Sequence, residues 1–287
     1  MRAKSSHVAL RRTVGYVALT VFALIFIGPF VITLITSFKT DSQATLQPLG
    51  PVPRPATLSA WKQIFGIGPS VSVTDFPRWF FNSAFVSVMI TIGRVFLDSL
   101  AGYALARLEF RGRKLVFGLV IATMAVPGVV LLIPTFLILK ELDLFNSYPG
   151  MVLPLLVDAV GIFLMRQYFL QVPAVLEEAG KVDGAGIFRV YWSIVLPVVR
   201  PGLIILTILS FQGSWNQFAF FEIATISPKY YTLTTGLANI VGGGLSAGNQ
   251  FPLKLGASAV TIIPVAVMFF VLQKHLVRGR LSGAVKG

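Results

Sequence analysis

Glu177, Glu178 and Asp183 crowd three carboxylates into one short stretch of a chain in which only 12% of residues are charged. Carboxylates can work as acid and base, ligate a metal, or meet a cationic partner, and the first two uses need company. The 2 histidines, His7 and His275, lie at opposite ends of the chain, and there is no cysteine. Acid–base, thiolate and Cys/His metal chemistry therefore have no constellation to work with, and enzyme activity is not expected. The acids read instead as a contact surface, because Gly184 follows them and a bare glycine turn lets another backbone approach closely.

A second group is scattered through apolar segments. Arg94 and Asp98 are spaced i, i+4, so on a helix they can pair and lower the cost of about 2.5–3.5 kcal/mol that either incurs alone in a membrane. A pathway or gate role is the alternative. Asp158 has no cation one turn away, so its partner must come from another helix, another subunit or water. Gln212 and Asn216 share a helix face, flanked by Trp215 and Phe218. Amides with an aromatic ring suit the hydroxyls and C–H face of a neutral polyol, and equally serve as glue between helices. Two spacings mislead. Gly243 to Gly248 has the glycines of a phosphate loop but Asn249 and Gln250 where Lys and Ser/Thr are required, and Leu281-Ser282-Gly283 lacks a surrounding nucleotide-binding domain.

The elements that must position these residues are membrane helices. The 287 residues are 55% hydrophobic, mean hydropathy is +0.80, and a soluble domain carries about twice this share of charge. Apolar runs cover Val14–Ile35, Phe80–Ala106, Leu115–Leu139, Gly150–Leu170, Leu203–Phe221 and Leu255–Leu272. Runs of this length predict an all-α, polytopic protein with six spans, since every backbone group must bond within its own helix. The first run is too long for a signal-peptide core and is expected to stay as a span. Pro127 and Pro134 predict a kink or hinge in the third run.

The net charge of +13 is distributed between apolar runs rather than clustered, which excludes a nucleic-acid face. With the N-terminus inside, inner segments hold more than twice as many of the 24 Lys and Arg residues as outer ones. Both termini and the 173–201 stretch are then cytoplasmic, and the Pro-rich loop between Phe38 and Trp79 caps the outer face. Within 173–201, Pro173 suits a first helical position and Gly184 a left-handed helix end. A second helix starts at Ile187, with Val190, Tyr191, Ile194 and Val195 on one face, and is expected to stop at Pro197. The chain thus divides into a tail over 1–13, a six-span domain over 14–274 with the elbow at 173–201, and a tail over 275–287.

The elbow carries a family resemblance. Glu178-Ala179-Gly180, Asp183-Gly184-Ala185, Ile194, Leu196-Pro197 and Pro201 resemble the EAA loop of ABC importer permeases, with Gly180 where Ala is usual and Tyr191 where Phe is common. Tyr103 to Lys114, Ile162 to Gln167, Ser214 to Phe218 and the final LSGAVKG are similar to the carbohydrate-uptake branch, specifically its maltose-type smaller permease. The resemblance implies a bacterial inner-membrane subunit with a second homologous permease, two ATPase subunits that carry ATP and Mg, and an extracytoplasmic solute-binding protein. This chain would bind no cofactor itself. It also implies that Glu177, Glu178, Ala179, Gly180, Asp183, Gly184 and Ala185 meet an ATPase; Gln212, Trp215 and Asn216 are the candidates, by residue type, to face the path of a sugar. A permease for another solute would share the elbow, and a secondary transporter or channel would move solute without ATPase partners.

Overall fold

The computed structural model describes residues 2–67, 75–242 and 250–281. The Gly243–Gly248 spacing and the 282–287 tail, with Ser282-Gly283, lie outside the described residues. Among those described, all regular structure is helical. In chain order the helices are α1 (Arg2–Thr36), α2 (Asp41–Leu46), α3 (Ser59–Ile64), α4 (Phe76–Arg107), α5 (Arg113–Met124), α6 (Leu132–Glu141), α7 (Tyr148–Val152) and α8 (Ala159–Leu170). There follow α9 (Ala174–Val182), α10 (Ile187–Val198), α11 (Arg200–Trp215), α12 (Ala219–Ala224), α13 (Leu233–Gly242) and α14 (Phe251–Leu281). Segments of α1, α4 and α14 are each long and apolar enough to cross a bilayer alone. Three bent pairs, α5 with α6, α7 with α8 and α10 with α11, bring the possible crossings to six. The protein is all-α and polytopic.

The described residues fall into two compact units, one drawn from 1–77 and 237–262, the other from 78–236 and 263–287. In the first, Lys39 is fully buried and its Nζ donates to the carbonyls of Gln47 (2.9 Å) and Pro48 (3.1 Å), pinning the turn after α2. Trp61 of α3 stacks on Phe38 and donates its indole N–H to Ser37. The Pro-rich residues between α2 and α3 stay non-helical, as their composition requires.

The second unit holds the candidate site residues and has two apolar cores strung along α4. Val86 and Ile90 pack with Leu139, Met151 and Phe221 in one. Tyr103 and Ala106 pack with Met165, Phe169, Tyr191 and Leu206 in the other. Arg94 and Asp98 lie on the α4 turns between them.

The helices around α4 are interrupted where the sequence supplies no hydrogen-bond donor or supplies a capping side chain. The expected third span is two helices meeting at 98°, because Pro127 has no N–H to give and holds an extended ψ of 126°. Pro134 causes no second kink, since it falls in the first turn of α6, where that N–H would be unpaired anyway. The fourth bends by 43° before Ala159, where Asp158 is extended and its carboxylate accepts the Gly161 N–H at 3.3 Å. The expected run from Leu203 to Phe221 is also not one helix: α11 begins at Arg200 and ends at Trp215, and α12 starts only at Ala219.

The elbow differs from expectation in two details. Pro173 is the residue before the first helix rather than its first residue. The second helix passes through Pro197 to Val198 before an 82° bend into α11. Residues Val190–Val195 are wound as a π-helix, whose wider turn makes room for the Pro197 ring that an α-helical turn would press against a carbonyl.

Candidate functional site

The elbow is closed by its glycine. Gly184 has φ +78°, a conformation that side chains with a Cβ resist. It lets the Ala185 N–H reach the Gly180 carbonyl (2.9 Å) and the Gly184 N–H reach that of Lys181 (3.0 Å), the paired bonds that end a helix in a Schellman turn. A Cβ at Gly180 would meet the Cδ1 end of Ile194 on α10, so the usual Ala would need that methyl to turn aside.

Arg107, the last residue of α4, fixes this elbow to the spans. Its guanidinium donates to the Phe169 carbonyl from Nε (3.0 Å) and Nη2 (2.6 Å), and to the Val172 carbonyl. It also lies 3.1 Å from Glu177 Oε1. One side chain therefore caps the C-terminus of α8 and neutralises a buried acid on α9. The other arm is held by Tyr191, whose hydroxyl is 2.7 Å from Ser99 Oγ and whose ring packs on Tyr103 and Phe169.

The expected docking residues consequently divide. Glu177 and Gly180 are buried and face this chain, and Ala185 is half-buried against the core. Glu178, Ala179, Asp183 and Gly184 are exposed, beside Val182 and Phe188 at 87% and 80% exposure. In the sequence Arg107 stands out only as part of the Tyr103 to Lys114 segment. What the sequence lacked was the fold that brings residues 107, 169 and 177 together.

Closer to the middle of α4, three interruptions converge: the α5–α6 break, the α7–α8 break, and the gap between α11 and α12. They bound an open cleft of about 630 Å³ whose polar lining is Arg94, Thr123, Thr135, Asp158 and Gln217. Irregular backbone at membrane depth is tolerated where it lines such a cavity.

Arg94 and Asp98 sit one turn apart, yet each is engaged elsewhere, so the expected ion pair gives way to two separate ties. Arg94 Nε donates to the Leu155 carbonyl at 2.7 Å, and Asp98 Oδ1 accepts the Asp158 N–H at 3.0 Å. Backbone groups freed by the α7–α8 break are what draw them apart. Asp98 is fully buried, and its Oδ2 has no hydrogen-bond partner among the described residues. Gly161 lies against that oxygen so closely that a Cβ would overlap it. Asp158, for which the sequence offered no cation, caps the N-terminus of α8, where a carboxylate is favoured without one.

The three candidate path residues are not brought together. Gln212 and Asn216 are exposed, Asn216 as the residue that ends α11, and neither lines the cleft. Trp215 is buried, stacked on Phe211 at 5.6 Å and edge-on to Phe80 at 5.7 Å. Gln217, next in the chain, is the amide that reaches the cleft. Among the described residues, no group of three or more His, Asp or Glu side chains could hold a metal ion.

A model of the family described as "Binding-protein-dependent transport system inner membrane component" matches residues 98–281. The chain is 32% identical to the arabinooligosaccharides transport system permease protein AraQ of Bacillus subtilis, covering 94% of this chain and 96% of that one. It is 30% identical to the sn-glycerol-3-phosphate transport system permease protein UgpE of Yersinia pestis, over 92% and 94% of the two chains. It is also 30% identical to the sulfoquinovosyl glycerol transport system permease protein SmoH of Agrobacterium fabrum, over 95% and 93%. The fold matches a chain in the crystal structure of a bacterial ABC transporter involved in the import of the acidic polysaccharide alginate. That match has a TM-score of 0.77 at 24% identity and covers 92% of this chain and 96% of that one. The narrower likeness to a maltose-type subunit has no counterpart among these relatives.

Proposed function

Because the chain belongs to the inner membrane components of binding-protein-dependent transport systems, we propose that it is the permease subunit of an importer for a sugar or related polyol. It pairs with a second permease, receives solute from an external binding protein, and couples the movement to ATP hydrolysis on separate ATPase subunits. The elbow faces the cytoplasm, as the Lys and Arg bias requires. The sugar or polyol class rests on what the relatives are named for: arabino-oligosaccharides, glycerol 3-phosphate and sulfoquinovosyl glycerol.

The observation that carries the coupling role is the two-sidedness of the elbow. Its inner side is fastened to α4 and α8 through Arg107 and Tyr191, while its outer side presents Glu178, Asp183, Val182 and Phe188 to a partner. A rigid knob of this kind moves the spans as a body when its socket moves. The cleft supplies a path, with Arg94, Gln217 and two threonines to meet hydroxyl or acidic groups. The burial of Trp215 favours packing over substrate contact for that residue.

Gly184→Asp tests the coupling role. The variant should reach the membrane in normal amounts yet lose ATPase co-purification and substrate-stimulated hydrolysis. Normal stimulated hydrolysis with normal uptake, in this variant and in Glu178→Lys, would sink the proposal. Titration calorimetry on the partner binding protein identifies the solute, and a ligand without polyol character would remove the sugar assignment.

A further inference from the structure

Asp98 and Ser99 are neighbours on α4, and their side chains hold different parts of the molecule. Ser99 is buried and bonds the Tyr191 hydroxyl at 2.7 Å, inside the π-helical segment of the elbow's second arm. Asp98 is buried and accepts the Asp158 N–H at 3.0 Å, at the break that lines the cleft. Arg94, one turn earlier, holds the other side of the same break through the Leu155 carbonyl. Neither hydrogen bond is needed to build α4, whose own backbone bonds are complete without them. Each leaves a polar group buried and unpaired if it is lost.

We propose that the Asp98–Ser99 turn of α4 is a positioning link that makes the α7–α8 break in the cleft follow the elbow. Displacing α10 pulls on Ser99 through Tyr191, and the same rigid helical turn carries Asp98 and with it the Asp158 backbone. Gly161 permits the link, since any larger residue would drive α8 away from Asp98. The assignment rests on reading the elbow as the docking element. It adds that α4, which is remote from the elbow in sequence, carries the motion to the path.

The absence of cysteine from the chain allows a single reporter. Val157 is 51% exposed and lines the cleft. In the assembled complex in lipid vesicles, Val157→Cys is labelled with a fluorescent maleimide and read on this chain's gel band. Labelling without nucleotide is compared with labelling after trapping with ATP, Mg and vanadate. The parent should show a nucleotide-dependent change in rate. In Tyr191→Phe and in Asp98→Ala, which removes the acceptor of the Asp158 N–H, that change should shrink about fivefold, the equilibrium worth of one ordinary hydrogen bond. Combining the two should add little, because both cut one link. A purely structural role would lower the melting temperature and leave the nucleotide-dependent change intact. Should Asp98→Ala fail to accumulate, Ser99→Ala and Tyr191→Phe remove the Ser99–Tyr191 bond from opposite ends and decide the matter.

A full-sized change in Tyr191→Phe and Ser99→Ala overturns the link. If Gly184→Asp abolishes the change while those variants keep it, only the link falls and the coupling role stands. If Gly184→Asp also keeps it, the docking role falls, and the link that rests on it.

Discussion

At the elbow, Arg107 bonds two backbone carbonyls at the end of α8 from Nε and Nη2 and lies against a carboxylate, so its own chain holds two of its three nitrogens. At the cleft, Arg94 of the same helix donates only from Nε, to Leu155, and its terminal nitrogens have no hydrogen-bond acceptor among the described residues. A guanidinium has five N–H donors and no means of neutralising itself. One that its own chain holds through several bonds is a fastener. One that is left unsaturated beside a cavity keeps donors for water or a solute. The acids divide the same way: Glu177 is buried against Arg107, and Glu178 beside it is exposed.

Removing the fastener should have the largest effect. Arg107→Ala strands Glu177 as a buried charge and uncaps the α8 carbonyls, a loss of about 3–5 kcal/mol, read as a lower melting temperature and reduced membrane abundance. Glu177→Gln added to it should recover part of that loss, since no charge is then left unpaired. If Arg107→Ala melts like the parent, the clamp is not structural. Trp215→Ala should come next, at about 3–4 kcal/mol for a buried indole stacked on one ring and edge-on to another. Parent-like melting of that variant with lost uptake would return Trp215 to the path. Arg94→Ala should be milder in stability, about 1–2 kcal/mol for one bond to a carbonyl, and disproportionately severe in uptake. That ratio of uptake loss to stability loss, compared with Arg107→Ala, sharpens the distinction between the two arginines. Equal ratios would erase it.

The features legible in the sequence are those set by local backbone rules. Apolar runs gave helices, Gly184 gave the left-handed turn, and Pro127 gave an interruption. Where the structure departs from the sequence reading, the cause is a partner that lies on another segment. Arg94 and Asp98 satisfy i, i+4 spacing, but unpaired backbone groups at residues 155 and 158 compete for both. No periodicity in one segment reveals what a break in another will need. Gln212 and Asn216 do stack one turn apart, the Asn216 N–H bonding the Gln212 carbonyl at 3.1 Å, but on an exposed face that does not line the cleft. Once α11 ends at Trp215, Gln217 becomes the residue turned to the cleft. The role of Asp158 is legible in the sequence, because Asp ahead of an apolar run is a favoured helix N-cap and needs no cation.

Asp158 allows the finest test of how the cleft is held. Its side chain caps α8 through Gly161, while its backbone N–H serves Asp98. Side-chain substitution therefore removes the cap and spares the tie to α4. Asp158→Ala should cost about 1 kcal/mol, and Asp158→Asn or Asp158→Ser much less, because both retain a capping oxygen. Thermal melting of the purified complex reads the series. Should Asn and Ser prove as damaging as Ala, the negative charge matters beyond capping, and Asp158 would be answering Arg94 or a solute across the cleft. Uptake then separates those two. If neutralising Arg94 in the Asp158→Asn background restores transport, the charges serve each other; if transport falls further, both serve the solute.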